Sequence, residues 1–188
     1  MKDNIKLGLI LLLITGFAGL LLGGSYEITK GPIAEKVLAA KQSAMKELFP
    51  KADKFDKVNI EVNEKISEVN VALSGSETTG YTIKVAPKGY GGAIETMVGI
   101  STVGKVTGIK ILSHVETPGL GANAPKPEFS DQYKSKSIKE NLEVVKIAPS
   151  KENQIQALTG ATITSAAVTL GVNNAIDFYN SSLKGAEK

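Results

Sequence analysis

Three glycine-centred clusters carry the residue types from which a binding site can be built. The first is Lys88-Gly89-Tyr90-Gly91-Gly92. Taken alone it is a flexible hairpin turn, because glycines are the default turn residues. In a site it would let backbone approach a flat ligand, with Tyr90 lending a face or an edge. The second is His114-Val115-Glu116-Thr117-Pro118-Gly119-Leu120-Gly121, which gathers an acid, a hydroxyl, a rigid proline and two glycines within a few residues. It reads either as a proline-stiffened surface loop or as a frame that holds backbone amides and a carboxylate around a polar ring system. His114 has no second histidine and no cysteine to join it as a metal ligand. The third is Thr159-Gly160-Ala161-Thr162-Ile163-Thr164-Ser165, which leads into a helical pattern. With Ser165 as the expected N-cap, the hydroxyls of Thr159, Thr162 and Thr164 lie near a helix N-terminus, whose free N–H groups and dipole favour a phosphate. A polar helix cap accounts for the same residues without any ligand. The Walker pattern GxxxxGK[ST] is missing, so nucleotide hydrolysis is not implied.

Composition narrows the chemistry. Cysteine is absent from the 188 residues, which excludes disulfide scaffolds, thiolate zinc sites, iron–sulfur clusters, thiol nucleophiles and acylated lipoprotein anchors. The 22 basic residues are all lysine, and against 19 acids they leave a net charge of +3 spread along the chain. A concentrated basic face of the kind nucleic acids require is therefore not expected. Any cation that meets a phosphate must be lysine, a point charge rather than a bidentate fork; Lys126 and Lys136 are candidates.

The elements that must position these clusters follow from hydropathy and punctuation. The run from Leu7 to Tyr26 carries no charge. As a helix rising about 1.5 Å per residue it is long enough for a hydrocarbon core of roughly 30 Å. Residues 1–26 are expected to form a retained single-pass membrane helix rather than a cleaved signal, since Gly23-Gly24-Ser25 is a poor cleavage site. Lysines flank the run almost evenly, so charge counting leaves its orientation open. Residues 27–188 read as one α+β domain. Thr29, Gly31 and Pro32 start a second helical stretch that ends at Pro50, followed by a lysine-rich turn over Lys51–Lys57. Strand-like runs follow at Val58–Val62, Ile66–Leu73, Tyr81–Ala86, Ala93–Thr102 and Val106–Leu112, with one more at Val144–Ala148. Helical stretches between them are lacking, so the sheet should be mainly antiparallel with flanking helices. His114–Lys136 reads as a long structured loop, and Ser165–Leu183 as the last helix, with Val168, Val172, Ile176 and Tyr179 on one face.

Taken together and in this order, the apolar N-terminus, Gly-Tyr-Gly-Gly, Glu-Thr-Pro-Gly-Leu-Gly and Thr-Gly-Ala-Thr before a helix resemble the FMN-binding domain of the G subunit of Rnf electron-transport complexes. The C subunit of the sodium-translocating NADH:quinone reductase is a related family. The resemblance implies FMN joined through its phosphate to Thr162, a phosphoester of the phosphothreonine type made by a separate flavin transferase with FAD as donor. It implies that Thr159, Gly160, Ala161 and Thr164 shape the attachment loop, and that Glu116, Thr117, Leu120 and Gly121, with Tyr90, border the flavin. No residue of this chain is implied to be catalytic or to bind a metal.

The implied function is a membrane-anchored flavoprotein that relays electrons within a translocase coupling ferredoxin/NAD chemistry to Na⁺ or H⁺ transport. Integral-membrane and iron–sulfur subunits would be its partners, and its domain would lie on the extracytoplasmic side of the cell membrane. One departure stands out. The family motif usually begins with an aspartate three residues before the first threonine, where this chain has Gln156. A glutamine removes a negative charge that the transferase would meet. The contrasting function is a non-redox, membrane-anchored binding or sensory module on the same fold, without permanent flavin.

Overall fold

The computed structural model describes residues 2–60 and 64–185. The chain divides into two units, Met1–Lys41 and Gln42–Lys188. The described residues of the first, 2–41, are helical throughout and make up the greater part of helix α1 (Lys2–Leu48). It is long and apolar enough to cross a membrane by length and composition, and none of its apolar window is buried. The helix does not start anew at Thr29, as the Thr-Gly-Pro signal suggested. It continues through Pro32, whose missing N–H deprives only the Ile28 carbonyl of a helical partner. Just upstream, Thr29 turns its hydroxyl back to the carbonyls of Ser25 at 2.8 Å and Tyr26 at 3.3 Å. It therefore behaves as an interior helix residue rather than a cap.

In the second unit, five strands form an antiparallel meander in the order β1 (Lys54–Lys57), β2 (Ile66–Ser74), β3 (Glu77–Val85), β4 (Glu95–Ser101) and β5 (Lys105–Ser113). The first strand falls where a lysine-rich turn was expected. Lys54 pairs with Leu73 and Lys57 with Asn70, so the lysines decorate an edge strand, where charge discourages pairing with a further chain. Residues 58–60 are not in a strand, and the rest of the expected Val58–Val62 run lies outside the described residues. Val58 nonetheless donates its amide to Val69 and packs on the core.

The period of two gives the sheet two different faces. Tyr81, Ile83, Val85, Val98 and Ile100 point to one side, where they meet Val168, Val172, Ile176 and Tyr179 of the last helical segment. Those four residues are the face that the helical spacing picked out. On the other side Met97 and Ala72 meet Ala44, Met45, Leu48 and Phe49 at the end of α1. Phe49 packs against two strand glycines. A Cβ on Gly80 would stand 2.6 Å from its ring, and one on Gly99 3.2 Å from it.

The segment after β5 is ordered by short turns rather than by a long loop: a 3₁₀ turn at Gly121–Asn123, α2 (Pro127–Ser130) and a second 3₁₀ turn at Asp131–Tyr133. Phe129 and Tyr133 from this segment meet edge to face at 5.6 Å and are buried. The expected strand at Val144–Ala148 is shorter and shifted: β6 (Glu143–Val145) pairs parallel with β7 (Gln154–Gln156), which the sequence pattern did not reveal.

Helix α3 spans Thr162–Phe178, three residues ahead of the expected start, and passes into a π turn at Tyr179–Leu183. Ser165 is therefore not the N-cap, a position taken by Ala161 without any side-chain bond. Its hydroxyl instead donates to the Ala161 carbonyl at 3.0 Å and accepts from the Leu158 amide at 2.9 Å. Replacing Phe49 with alanine removes the ring that fills the glycine shelf. It should lower the unfolding free energy by about 3 kcal/mol, measured as a lower urea midpoint of the full chain in detergent.

Candidate functional site

The three sequence clusters converge at one end of the sheet, and a single carboxylate joins them. Glu116 is only 5% exposed. Its Oε1 accepts the amide of Gly91 at 2.8 Å, 25 residues away in the chain. Its Oε2 accepts the hydroxyl of Thr164, 48 residues away. One side chain thus ties the Gly-Tyr-Gly-Gly turn, its own loop and the first turn of α3 together. His114 serves this arrangement through the backbone, its Nδ1 accepting the Glu116 amide at 3.3 Å.

The glycines around the carboxylate are required by space. A Cβ on Gly121 would stand 2.4 Å from Thr164 Oγ1 and 2.6 Å from Glu116 Oε2, and a Cβ on Gly91 would stand 2.2 Å from the Val115 carbonyl oxygen. Contacts that short cannot be relieved by a small side-chain shift, because the Val115 oxygen is backbone and Glu116 is held at both oxygens. Gly160 has a different reason for its identity. Its φ of +74° lies in the left-handed region that glycine occupies without strain, and it turns the chain from β7 into α3.

The turn that leads into α3 is held from both ends. Gln156, which ends β7, exchanges backbone bonds with the side chain of Gln132: its amide donates to Oε1 at 2.7 Å, and its carbonyl accepts from Nε2 at 3.2 Å. The Gln156 side chain itself is left exposed. Behind the helix, Tyr133 and Thr169 are joined at 2.7 Å. The Thr169 hydroxyl spends its proton on the Ser165 carbonyl at 2.9 Å, so the phenol donates. Burial pushes the Tyr133 phenol well above the ordinary tyrosine range.

Between the joined loops opens a cleft of about 500 Å³ lined by Tyr90, Glu116, Thr117, Leu120, Gly121, Gly160, Ala161, Thr162, Ile163 and Thr164. That volume lies within the roughly 300–1,000 Å³ of small-molecule sites. Tyr90, Leu120 and Ile163 are exposed around it and make its walls largely apolar, while hydroxyls and the carboxylate supply the polar points. Nearly every residue expected to border a cofactor lines this cleft. Thr159 does not; it lines a smaller cleft of about 210 Å³ together with Lys146, Ala157, Leu158, Gly160 and Thr162.

Thr162 therefore borders both spaces. It is exposed, and it is the first residue of a helix whose N-cap offers no side-chain acceptor. Four lining residues were missed: Ile163 in the larger cleft, and Lys146, Ala157 and Leu158 in the smaller one. Ile163 looks like a core residue in sequence, and Lys146 lies far from any motif. Of the lysines considered as phosphate partners, Lys136 gives its amine to the carbonyls of Glu152 and Gln154, and Lys126 sits at the start of α2. Neither lines a cleft with Thr162, whereas Lys146 does.

The larger cleft thus combines apolar walls, close-packed glycines and the side-chain-uncapped N-terminus of α3. The FMN-binding domain family matches residues 89–177, which include all three clusters except Lys88. The chain is 42% identical to the G subunit of the Na⁺-translocating ferredoxin:NAD⁺ oxidoreductase complex of Acetobacterium woodii, over 95% of this chain and 92% of that protein. It is 44% identical to the G subunit of the proton-translocating ferredoxin:NAD⁺ oxidoreductase complex of Clostridium ljungdahlii, over 88% of this chain and 86% of that one. In three dimensions it resembles the crystal structure of the C subunit of Na⁺-translocating NADH-quinone reductase from Parabacteroides distasonis, with a TM-score of 0.58 at 22% identity over 73% of this chain and 80% of that one. The last likeness is one of fold. The chain belongs to the G-subunit family of ion-translocating ferredoxin:NAD⁺ oxidoreductase complexes, the family whose motifs its sequence carries.

Gly121→Ala should break the Thr164–Glu116 bond, because the new methyl would overlap both partners. A destabilisation of about 1–3 kcal/mol is expected, read as a lower thermal midpoint of the full chain in detergent. An unchanged midpoint would show that the junction tolerates a Cβ and is looser than described.

Proposed function

We propose that this chain is the flavin-carrying member of an ion-translocating ferredoxin:NAD⁺ oxidoreductase complex and that it holds FMN covalently through Thr162. The observation that carries the reading is the position of Thr162, an exposed hydroxyl on the first residue of α3 that borders both the apolar cleft and the smaller cleft holding Lys146. The N-terminal amides of α3 lack a side-chain cap, and they favour the one negative charge that a phosphodiester keeps. In the attachment step the Thr162 oxygen bonds to the FMN phosphorus of FAD, the phosphoanhydride breaks, AMP leaves and the hydroxyl proton is lost. A dedicated transferase would catalyse it.

Bound FMN supplies reversible electron acceptance and donation, which the side chains of a cysteine-free protein cannot. The chain's own residues bind and orient. Tyr90, Leu120 and Ile163 give the ring apolar surface and exclude water. Gly121 and Gly160 let backbone come close, while Thr117 and Thr164 offer hydroxyls. Lys146 is the cation placed to meet the phosphate. The exposed apolar stretch of α1 anchors the domain to the membrane, on the extracytoplasmic side in this reading. Covalent attachment then keeps a cofactor where free flavin is not replenished. Ferredoxin and NAD⁺ chemistry, iron–sulfur transfer and the passage of Na⁺ or H⁺ belong to partner subunits.

A second reading rests on Gln156. Its exposed side chain stands where the family usually has aspartate, and a transferase that needs the charge would leave the protein a flavin-free binding module. In-gel flavin fluorescence after co-expression with a flavin transferase separates the two. A fluorescent denatured wild-type band beside a dark Thr162→Ala band is expected. A dark wild-type band, with the transferase active on a control substrate, would favour the second reading. Wild-type fluorescence in Thr162→Ala would move the attachment to another residue.

A further inference from the structure

Among the described residues, Glu116 is the single charged one lining the larger cleft. Both of its oxygens face donors: the Gly91 amide, and a Thr164 hydroxyl that gives its one proton to Oε2. The Gly91 amide can only donate and the Thr164 hydroxyl is turned to donate, so both oxygens act as acceptors, the role a carboxylate fills. Among the described residues no lysine forms an ion pair with it. Its compensation comes from hydrogen bonds and from the positive end of α3, in which Thr164 is the third residue. A fixed negative charge is thus held at the wall of a largely apolar cleft, where electrostatic interactions are screened less than in water.

We infer that Glu116, beyond joining the three loops, is the charge that holds the reduction potential of the cofactor in this cleft low. The inference rests on the reading that FMN occupies the cleft. Two-electron reduction with uptake of one proton leaves one net negative charge on the bound group, and a fixed carboxylate nearby opposes that charge while leaving the oxidised, neutral ring almost untouched. Charge close to a flavin ring is a recognised means by which a protein tunes it. The scaffold and the charge are separable roles, because glutamine keeps the length of the side chain and loses the charge, whereas aspartate keeps the charge and loses the reach.

The test is a spectroelectrochemical titration of the flavin-loaded full chain in detergent, as wild type, Glu116→Gln and Glu116→Asp. Glu116→Gln should raise the ratio of reduced to oxidised flavin at a fixed poise by about tenfold, a positive shift of about 30 mV for a two-electron couple. Glu116→Asp should melt at a lower temperature, because it cannot span Gly91 and Thr164 together, yet titrate close to wild type. An unshifted Glu116→Gln overturns the inference. So does Glu116→Asp shifting as far as Glu116→Gln, since the potential would then follow geometry rather than charge. If neither variant takes up flavin while wild type does, Glu116 is needed only to build the cleft and the inference falls. A wild-type chain that carries no flavin, seen in the gel before any titration, removes the reading underneath as well.

Discussion

The site depends on one buried carboxylate shared between loops that the chain separates widely. Hydrogen bonds to charged groups contribute about 1.5–3 kcal/mol each, and Glu116 makes two of them at 5% exposure. The asymmetry matters more than the sum. Removing either donor leaves a buried charge with an unmet lone pair, which costs more than the bond returned, so Gly91 and Thr164 are held as firmly as Glu116 itself. Gly89 and Gly121 follow from the same constraint, since a Cβ on either would stand 2.5–2.6 Å from a carboxylate oxygen. Much of the glycine content of the motifs is therefore the space required by this junction, and the backbone freedom of a turn explains only part of it.

The rest of the fold fixes where that junction sits relative to Thr162. The sheet's inner face seats α3 through Val168, Val172 and Ile176. Tyr133 reaches α3 through Thr169, and Ser165 ties the helix back to the amide of Leu158 in the preceding turn. The short parallel pair of β6 and β7 delivers the chain to that turn, with Gln132 gripping the backbone of Gln156. Thr162 is thereby held on a turn anchored on both sides, with its hydroxyl left outside the network. The covalent attachment proposed at Thr162 would need this combination of a fixed backbone and a free side-chain oxygen.

The sequence was legible where local chemistry decided the outcome. The glycine clusters stood out as turns that approach something, and the one-sided spacing of α3 marked its buried face. The lack of helical stretches between the strand-like runs marked an antiparallel sheet. It was misleading where a residue's partner lay elsewhere in the chain. Ser165 looks like a helix cap because serine commonly is one, yet its hydroxyl organises a turn that ends three residues earlier, so the helix starts at Thr162. The lysines of β1 hid a strand because they belong on an exposed edge. The three-residue strands β6 and β7 are too short to show any period. Lys146 lines the smaller cleft without a motif to announce it, Ile163 sits inside the third cluster as an apolar residue that looks like core, and the reach of Glu116 to Gly91 and Thr164 is a long-range contact that no local pattern encodes.

The central claim is that the three loops build one cofactor site and that its covalent anchor is Thr162. Trypsin should release Glu152–Lys184 as a single fragment, since the sequence has no lysine or arginine between Lys151 and Lys184. Tandem mass spectrometry of that fragment from transferase-treated protein is the most direct measurement. The account predicts a single FMN phosphoester, with fragment ions that localise it to Thr162 and leave Thr159, Thr164 and Thr169 unmodified. An adduct on any other residue, or an unmodified fragment from protein exposed to a demonstrably active transferase, would contradict it.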